Sequence, residues 1–148
     1  MKTFKYKKQI ETLVFGSGNK VPTDLKKFPE EFKNLKEIRI LNPMKGSVKQ
    51  IDDLLEDIQE NGSLLKKLAL SKCEISSNTC FILQKIFMAQ KLPELETLDI
   101  SNSKFSLTEL QKLLKSIKFC LSLRELNVSH NRFNSQTIDC LVDVINSN

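Results

Sequence analysis

The residues of this chain that could do covalent or acid–base chemistry are four cysteines, one histidine and scattered carboxylates. Their spacing points away from catalysis. Cys73, Cys80, Cys120 and Cys140 include no C-x-x-C pair and His130 is the sole histidine, so the common zinc-ligand pattern is absent. The cysteines read as reduced, small apolar groups, which points to a cytoplasmic or otherwise reducing compartment inside the cell. His130 has no serine or cysteine brought near it by local spacing. Gly16-Ser17-Gly18-Asn19 is glycine-rich but lacks the lysine and serine or threonine that complete a phosphate-binding loop, so it reads as a turn leaving a strand. Asp99 and Glu125 could stand side by side, but no inserted loop would exclude water from them, and a solvated charged face is expected. The sequence therefore predicts no catalytic residue, no metal site and no cofactor.

What must position these side chains is a ladder of apolar residues written five times. Three copies are regular: Leu65-x-x-Leu68-x-Leu70, Leu95-x-x-Leu98-x-Ile100 and Leu123-x-x-Leu126-x-Val128. Two are looser, Leu35-x-x-Ile38-x-Ile40 and Ile10-x-x-Leu13-x-Phe15. The starts, at 10, 35, 65, 95 and 123, are 25, 30, 30 and 28 residues apart, a period that implies stacked supersecondary units. Within each copy the alternation predicts a half-buried strand. A second apolar set follows at offsets of 15, 18 and 22, the spacing of one helix face. It comprises Leu25, Phe28 and Phe32; Ile51, Leu54 and Ile58 after one inserted residue; Cys80, Leu83 and Phe87; Leu110, Leu113 and Ile117; and Ile138, Leu141 and Ile145. Ser47-x-x-Gln50 and Ser106-x-x-Glu109 read as capping boxes, and Ser77 and Ser135 as N-caps. Pro29 limits the first unit to a helical turn or two between residues 23 and 31. Residues 3–7 alternate Phe4 and Tyr6 with lysines, as in a short edge strand.

A strand, a helix and a parallel strand in repetition put strands on one side and helices on the other. Helices are wider than the strand spacing of about 4.8 Å, so the stack must curve. The expectation is an α/β solenoid, one domain over residues 1–148, a short arc of about five parallel strands with helices on the convex side.

These residues resemble the leucine-rich repeat family, in its ribonuclease-inhibitor-like, strand-plus-helix subclass. The pattern L-x-x-L-x-L-x-x-N/C-x-L is matched from Leu65 to Ile75, with Cys73 at the polar position, and from Leu123 to Phe133, with Asn131 there. The unit from Leu95 to Phe105 has Ser103 at that position, and the first two units have Gly18 and Pro43. The resemblance implies that Cys73 and Asn131 are structural, satisfying backbone groups in the turn after each strand. It also implies a protein-binding module rather than an enzyme.

The outward strand positions should then form columns. One reads Thr12, Glu37, Lys67, Thr97, Glu125; the next Val14, Arg39, Ala69, Asp99, Asn127; the third Gly16, Leu41, Ser71, Ser101, Ser129; and beside it lie Ser17, Asn42, Lys72, Asn102 and His130. The candidate protein-binding residues on this concave face are Arg39, Lys67, Lys72, Asp99, Glu125, Asn127 and His130, carried on a rigid sheet. The two ends of the stack, which expose an apolar layer unless capped, are the other candidate docking surfaces.

Composition narrows the partner. The chain has 23 basic and 18 acidic residues for a net +5, but only Arg39, Arg124 and Arg132 are arginines. Phosphate recognition favours the bidentate guanidinium, so scattered lysines argue against a nucleic-acid groove. Inhibition of a basic nuclease is disfavoured by the positive charge. No apolar run approaches the ~20 residues of a membrane-spanning helix, and the N-terminal Met1–Lys8 has charge without an apolar stretch behind it. The leading reading is a non-enzymatic protein–protein interaction module, a small adaptor or a structural subunit of a larger assembly. The competing readings are an effector-type repeat protein, or one binding RNA or an acidic surface through Lys5, Lys7, Lys8, Lys26, Lys27 and Lys33.

Overall fold

The computed structural model describes residues 9–22 and 32–147. Among these residues it contains five strands and four helices: β1 Thr12–Gly16, β2 Glu37–Leu41, α1 Val48–Asn61, β3 Lys67–Ser71, α2 Ser77–Met88, β4 Thr97–Asp99, α3 Leu107–Ile117, β5 Glu125–Asn127 and α4 Ser135–Ser147. The strands form one parallel sheet in chain order, β1-β2-β3-β4-β5. Each helix packs on the helix of the next unit, so strands make one layer and helices the other. This is the short α/β solenoid that the period implies. The expected first helical turns, the edge strand at 3–7, Leu25 and Phe28 lie outside the described residues.

The core lies between the layers and is built from the ladder. Ile38, Ile40, Leu65, Leu68, Leu70, Leu95, Leu98 and Ile100 are fully buried, and Leu54, Ile58, Leu83, Leu110, Leu113 and Ile117 meet them from the helices. At about 25 cal/mol per Å², each such leucine or isoleucine contributes ~1.5–3 kcal/mol relative to exposure.

The fifth unit departs from its expected helix face. Ile138 and Ile145 are 50% and 67% exposed, Leu141 is half-buried, and the buried positions are Thr137, Cys140 and Val144. In α2, by contrast, Thr79, Cys80, Ile82, Leu83, Ile86 and Phe87 are all buried, so two adjacent faces are covered. One face packs back on the preceding unit and the other forward on the next. The forward face, at offsets 15, 18 and 22, has no neighbouring unit over α4 among the described residues. The apolar period continues into α4, but burial at those offsets needs a following repeat.

Helix starts also differ in detail. Ser106 and Glu109 form the expected capping box. The cap of α2 is Ser76, one residue before the expected Ser77, and its box partner is Thr79. In α4 the Asn134 carboxamide oxygen accepts from the Thr137 N–H at 2.9 Å, displacing the expected Ser135. Ser47 makes no cap bond, because its hydroxyl donates to the Met44 carbonyl at 2.7 Å in the irregular Pro43–Gly46 connection. Ser77, freed from capping, donates to Glu109 of the next helix at 2.6 Å. Asp52 accepts from Ser76, Asn78 and Thr79. Polar side chains thus tie the N-terminal ends of successive helices together, where a carboxylate also complements the helix dipole.

Candidate functional site: the strand face and its rim

The register places the first two columns as expected; the third is in register from Gly16 through Leu41 to Ser71, and its Ser101 is buried, its hydroxyl 2.9 Å from that of Ser71. Thr12, Glu37, Lys67, Thr97 and Glu125 pair in line, as do Val14, Arg39, Ala69, Asp99 and Asn127. Several of their side chains are bonded while remaining exposed, among them Arg39, Glu125 and Asn127. The Arg39 guanidinium reaches Glu37 on its own strand at 2.6 Å. That bond holds the Glu37 carboxyl below its ordinary value of 4.5, aided by Thr12 and the nearby charge of Lys67. The Thr97 hydroxyl donates to Glu125 at 3.3 Å. Lys67, by contrast, is exposed and in no ion pair among the described residues.

Asp99 and Asn127 occupy structural posts. The Asp99 carboxylate accepts from the Ser101 N–H at 2.8 Å, and the Asn127 carboxamide from the Ser129 N–H at 3.1 Å. Each terminates its strand with a local side-chain-to-backbone bond. The expectation that Asp99 is simply solvated is corrected here: it is half-buried and satisfies a backbone donor. Alternation identified its face, while the bond two residues on depends on the turn.

Beyond the strands the chain turns through a left-handed residue in every complete unit: Asn42 (φ 51°), Lys72 (φ 55°), Asn102 (φ 52°) and His130 (φ 57°). Asparagine tolerates this conformation; lysine and histidine adopt it at a cost, held by the repeat. The N–H groups of Asn42, Lys72 and Asn102 donate to Ser71, Ser101 and Ser129 of the following unit, at 2.8–3.0 Å. Lys72 and His130 therefore sit on the rim of the sheet, both exposed.

Under this rim runs the polar ladder that the resemblance implied. Cys73 Sγ donates to the Ile40 carbonyl at 3.4 Å. Ser103 Oγ donates to the Leu70 carbonyl at 2.6 Å and accepts from the Cys73 N–H at 3.3 Å. Asn131 Nδ2 donates to the Ile100 carbonyl at 2.8 Å while its oxygen accepts from the Ser103 N–H at 3.0 Å. Ser103 thus does the work of asparagine or cysteine at that position. All four cysteines are free and buried. Burial pushes the Cys73 and Cys120 thiols up to about 12 and raises that of Cys80, so they stay protonated and unreactive at neutral pH.

Two residues on the rim escaped the sequence reading. Lys45 and Lys104 line a cavity of about 120 Å³ together with Lys72 and Glu74. The signal was available: Glu74, Lys104 and Arg132 each stand nine residues after a ladder start, and Lys45 stands there once the inserted residue is counted. Elsewhere cross-repeat ion pairs occur one residue after the ladder start, Lys36 with Glu11 at 2.8 Å and Lys66 with Glu96 at 3.2 Å.

At the far end of the stack, Leu123, Leu126, Val128, Leu141, Val144 and Ile145 line an open cavity of about 560 Å³. Among the described residues no group of histidine, cysteine, aspartate and glutamate side chains could hold a metal ion. No helix among them is long and apolar enough to cross a membrane.

No curated protein matches the chain. The family described as Leucine Rich Repeat matches residues 122–143, which span the fifth ladder, Asn131 and the first turns of α4. That match falls on one unit of a structure whose strands and helices repeat the same unit, and it supports the leucine-rich repeat family for this chain.

Proposed function

We propose that the chain is a non-enzymatic protein–protein interaction module, acting as a small adaptor or as a structural subunit of a larger assembly. The observation that carries this reading is the five-stranded sheet, which presents polar side chains in register on a rigid support. Lys67 and Glu125 are exposed on it and Lys72 and His130 on its rim; Arg39, Asp99 and Asn127 frame them through the bonds described above. Pre-ordered side chains lose little entropy on binding, which favours recognition by such a face. The apolar end layer at Leu123, Leu126 and Ile145 offers a second docking surface.

The five repeats form one domain over residues 1–148 in this reading, of the ribonuclease-inhibitor-like subclass. Full helices of 11 to 14 residues in four units support the subclass. Four unpaired cysteines support a reducing, intracellular setting, and the cytoplasm is the proposed location.

The test is cross-linking mass spectrometry on tagged protein purified gently from its own cells. Cross-links from Lys67 and Lys72 to one protein support the concave face. Cross-links from helix-layer lysines and the end repeats to several proteins, in fixed stoichiometry, support a built-in subunit. Capture of RNA in place of protein sinks both.

A further inference from the structure

Three lysines meet at the rim cavity, and of these Lys72 alone also borders the strand face. Lys45, Lys72 and Lys104 come from three successive repeats and are all exposed, yet among the described residues none is in an ion pair. The one carboxylate among them, Glu74, accepts instead from the Gly46 N–H at 3.4 Å. On the opposite edge of the sheet the lysines of the second and third units are matched by glutamates of neighbouring units. The cavity therefore carries an excess of two positive charges, Lys45, Lys72 and Lys104 against Glu74. Arg132 extends the same offset into the fifth unit. The N-terminus of α1, which has no side-chain cap and no acidic residue in its first turn, adds positive potential beside Ser47 and Val48 in the cavity wall.

We propose that this rim binds an extended acidic peptide segment of a protein partner, with carboxylates at alternate positions. Alternate residues of an extended chain lie on one side, about 7 Å apart. Strand-bearing repeats are about 4.8 Å apart, so long lysine side chains from three of them reach two or three such carboxylates. Pro43 and Met44 in the cavity wall suit the aliphatic stems of glutamates. A peptide fits better than a nucleic acid: the cavity lining contains neither an aromatic ring for base stacking nor an arginine for bidentate phosphate contact. The inference rests on the protein-interaction reading and names the chemistry of the partner.

The experiment measures fluorescence anisotropy of a labelled oligoglutamate peptide titrated with the full chain, and of an oligouridine of equal length. The combined Lys45→Glu, Lys72→Glu and Lys104→Glu variant should bind the peptide about tenfold or more weakly, the sum of three exposed pairs. Lys112→Glu, Lys115→Glu and Lys118→Glu, the same charge change on the helix side, should cost less than about threefold. Equal losses in the two variants, or saturable binding of oligouridine in preference to the peptide, overturns the proposal. Should the rim variant melt early by circular dichroism, the three Lys→Gln changes give the same reading with less repulsion. Arg39→Glu with Lys67→Glu separates the two surfaces. If it loses a cross-linked partner but keeps the peptide, the rim stands apart from the strand face; if the peptide alone fails to bind wild type, the rim fails while the interaction reading stands.

Discussion

Ser103 shows how one atom decides a repeat. Its hydroxyl joins the Leu70 carbonyl and the Cys73 N–H in a buried turn. Removing it leaves both without that partner, and each unmade buried bond costs ~1–3 kcal/mol. Ser103→Ala should therefore lower stability in urea by ~1–3 kcal/mol for each of the two groups, while Ser103→Asn, which supplies the residue that Asn131 places at the equivalent position, should recover part of it. Leu98 and Asp99 are neighbours of opposite fate. Leu98 is 0% exposed, so Leu98→Ala should cost ~2–5 kcal/mol. Alternation alone predicts under ~0.5 kcal/mol for Asp99→Ala, the effect of a surface change. The bond to Ser101 raises that to about 1 kcal/mol, and Asp99→Asn, which keeps an acceptor, should cost less. Equal losses at positions 98 and 99 would mean that the strand register is wrong. Face, burial and polar position were legible in the sequence at these residues. The bond from Asp99 was not, because it depends on the backbone two residues later.

Helix starts are where element-scale reading succeeded and slipped. Ser106 has a glutamate three residues on, and the box formed. Ser47 has a glutamine three residues on, but Pro43 and Gly46 bend the approach so that its hydroxyl turns back to Met44. Ser106→Ala should therefore cost ~1 kcal/mol in thermal or urea unfolding, and Ser47→Ala should not show a cap loss. The cap of α3 also titrates. Hydrogen bonds from Ser77 and Ser106 hold the Glu109 carboxyl below its ordinary value of 4.5. A depressed folded value means that this stabilisation is present above about 4.5 and is lost as pH falls through the folded value. The stability gap between wild type and Glu109→Gln should accordingly narrow in acid. A gap that stays constant from neutral pH to acid would show that Glu109 does not act through its charge.

The whole molecule is a stack, so stability is a sum over units and their interfaces. α2 is covered on two faces, whereas α4 leaves Ile138 and Ile145 half to two-thirds exposed. Amide exchange in α4 should therefore be faster than in α2. Equal protection across the two helices would mean that the stack unfolds as one unit. Ile145→Asp should change monomer stability by under ~0.5 kcal/mol, as an exposed position does, but should abolish any association made through the end layer, read by light scattering. Only the assembled stack identifies that layer. Offsets 15, 18 and 22 are apolar in the fifth unit as in the others, and burial there is a property of the neighbour.

The sequence by itself determined the period, the parallel strands, the inward ladder and the columns of the first strand positions, while the structural role of Cys73 and Asn131 came from the resemblance to the leucine-rich repeat family. The first set follows from spacing and residue type, which recur from unit to unit. Tertiary structure alone decided which carboxylates are already engaged, which serines cap, and which rim lysines share a cavity. The caps and the Asp99 bond depend on backbone conformation two or three residues away, and the shared cavity on residues about 30 positions apart brought together by the stacking of one repeat on the next. Lys45, Lys72 and Lys104 are scattered charges along the chain and a single cationic surface only once the repeats are stacked.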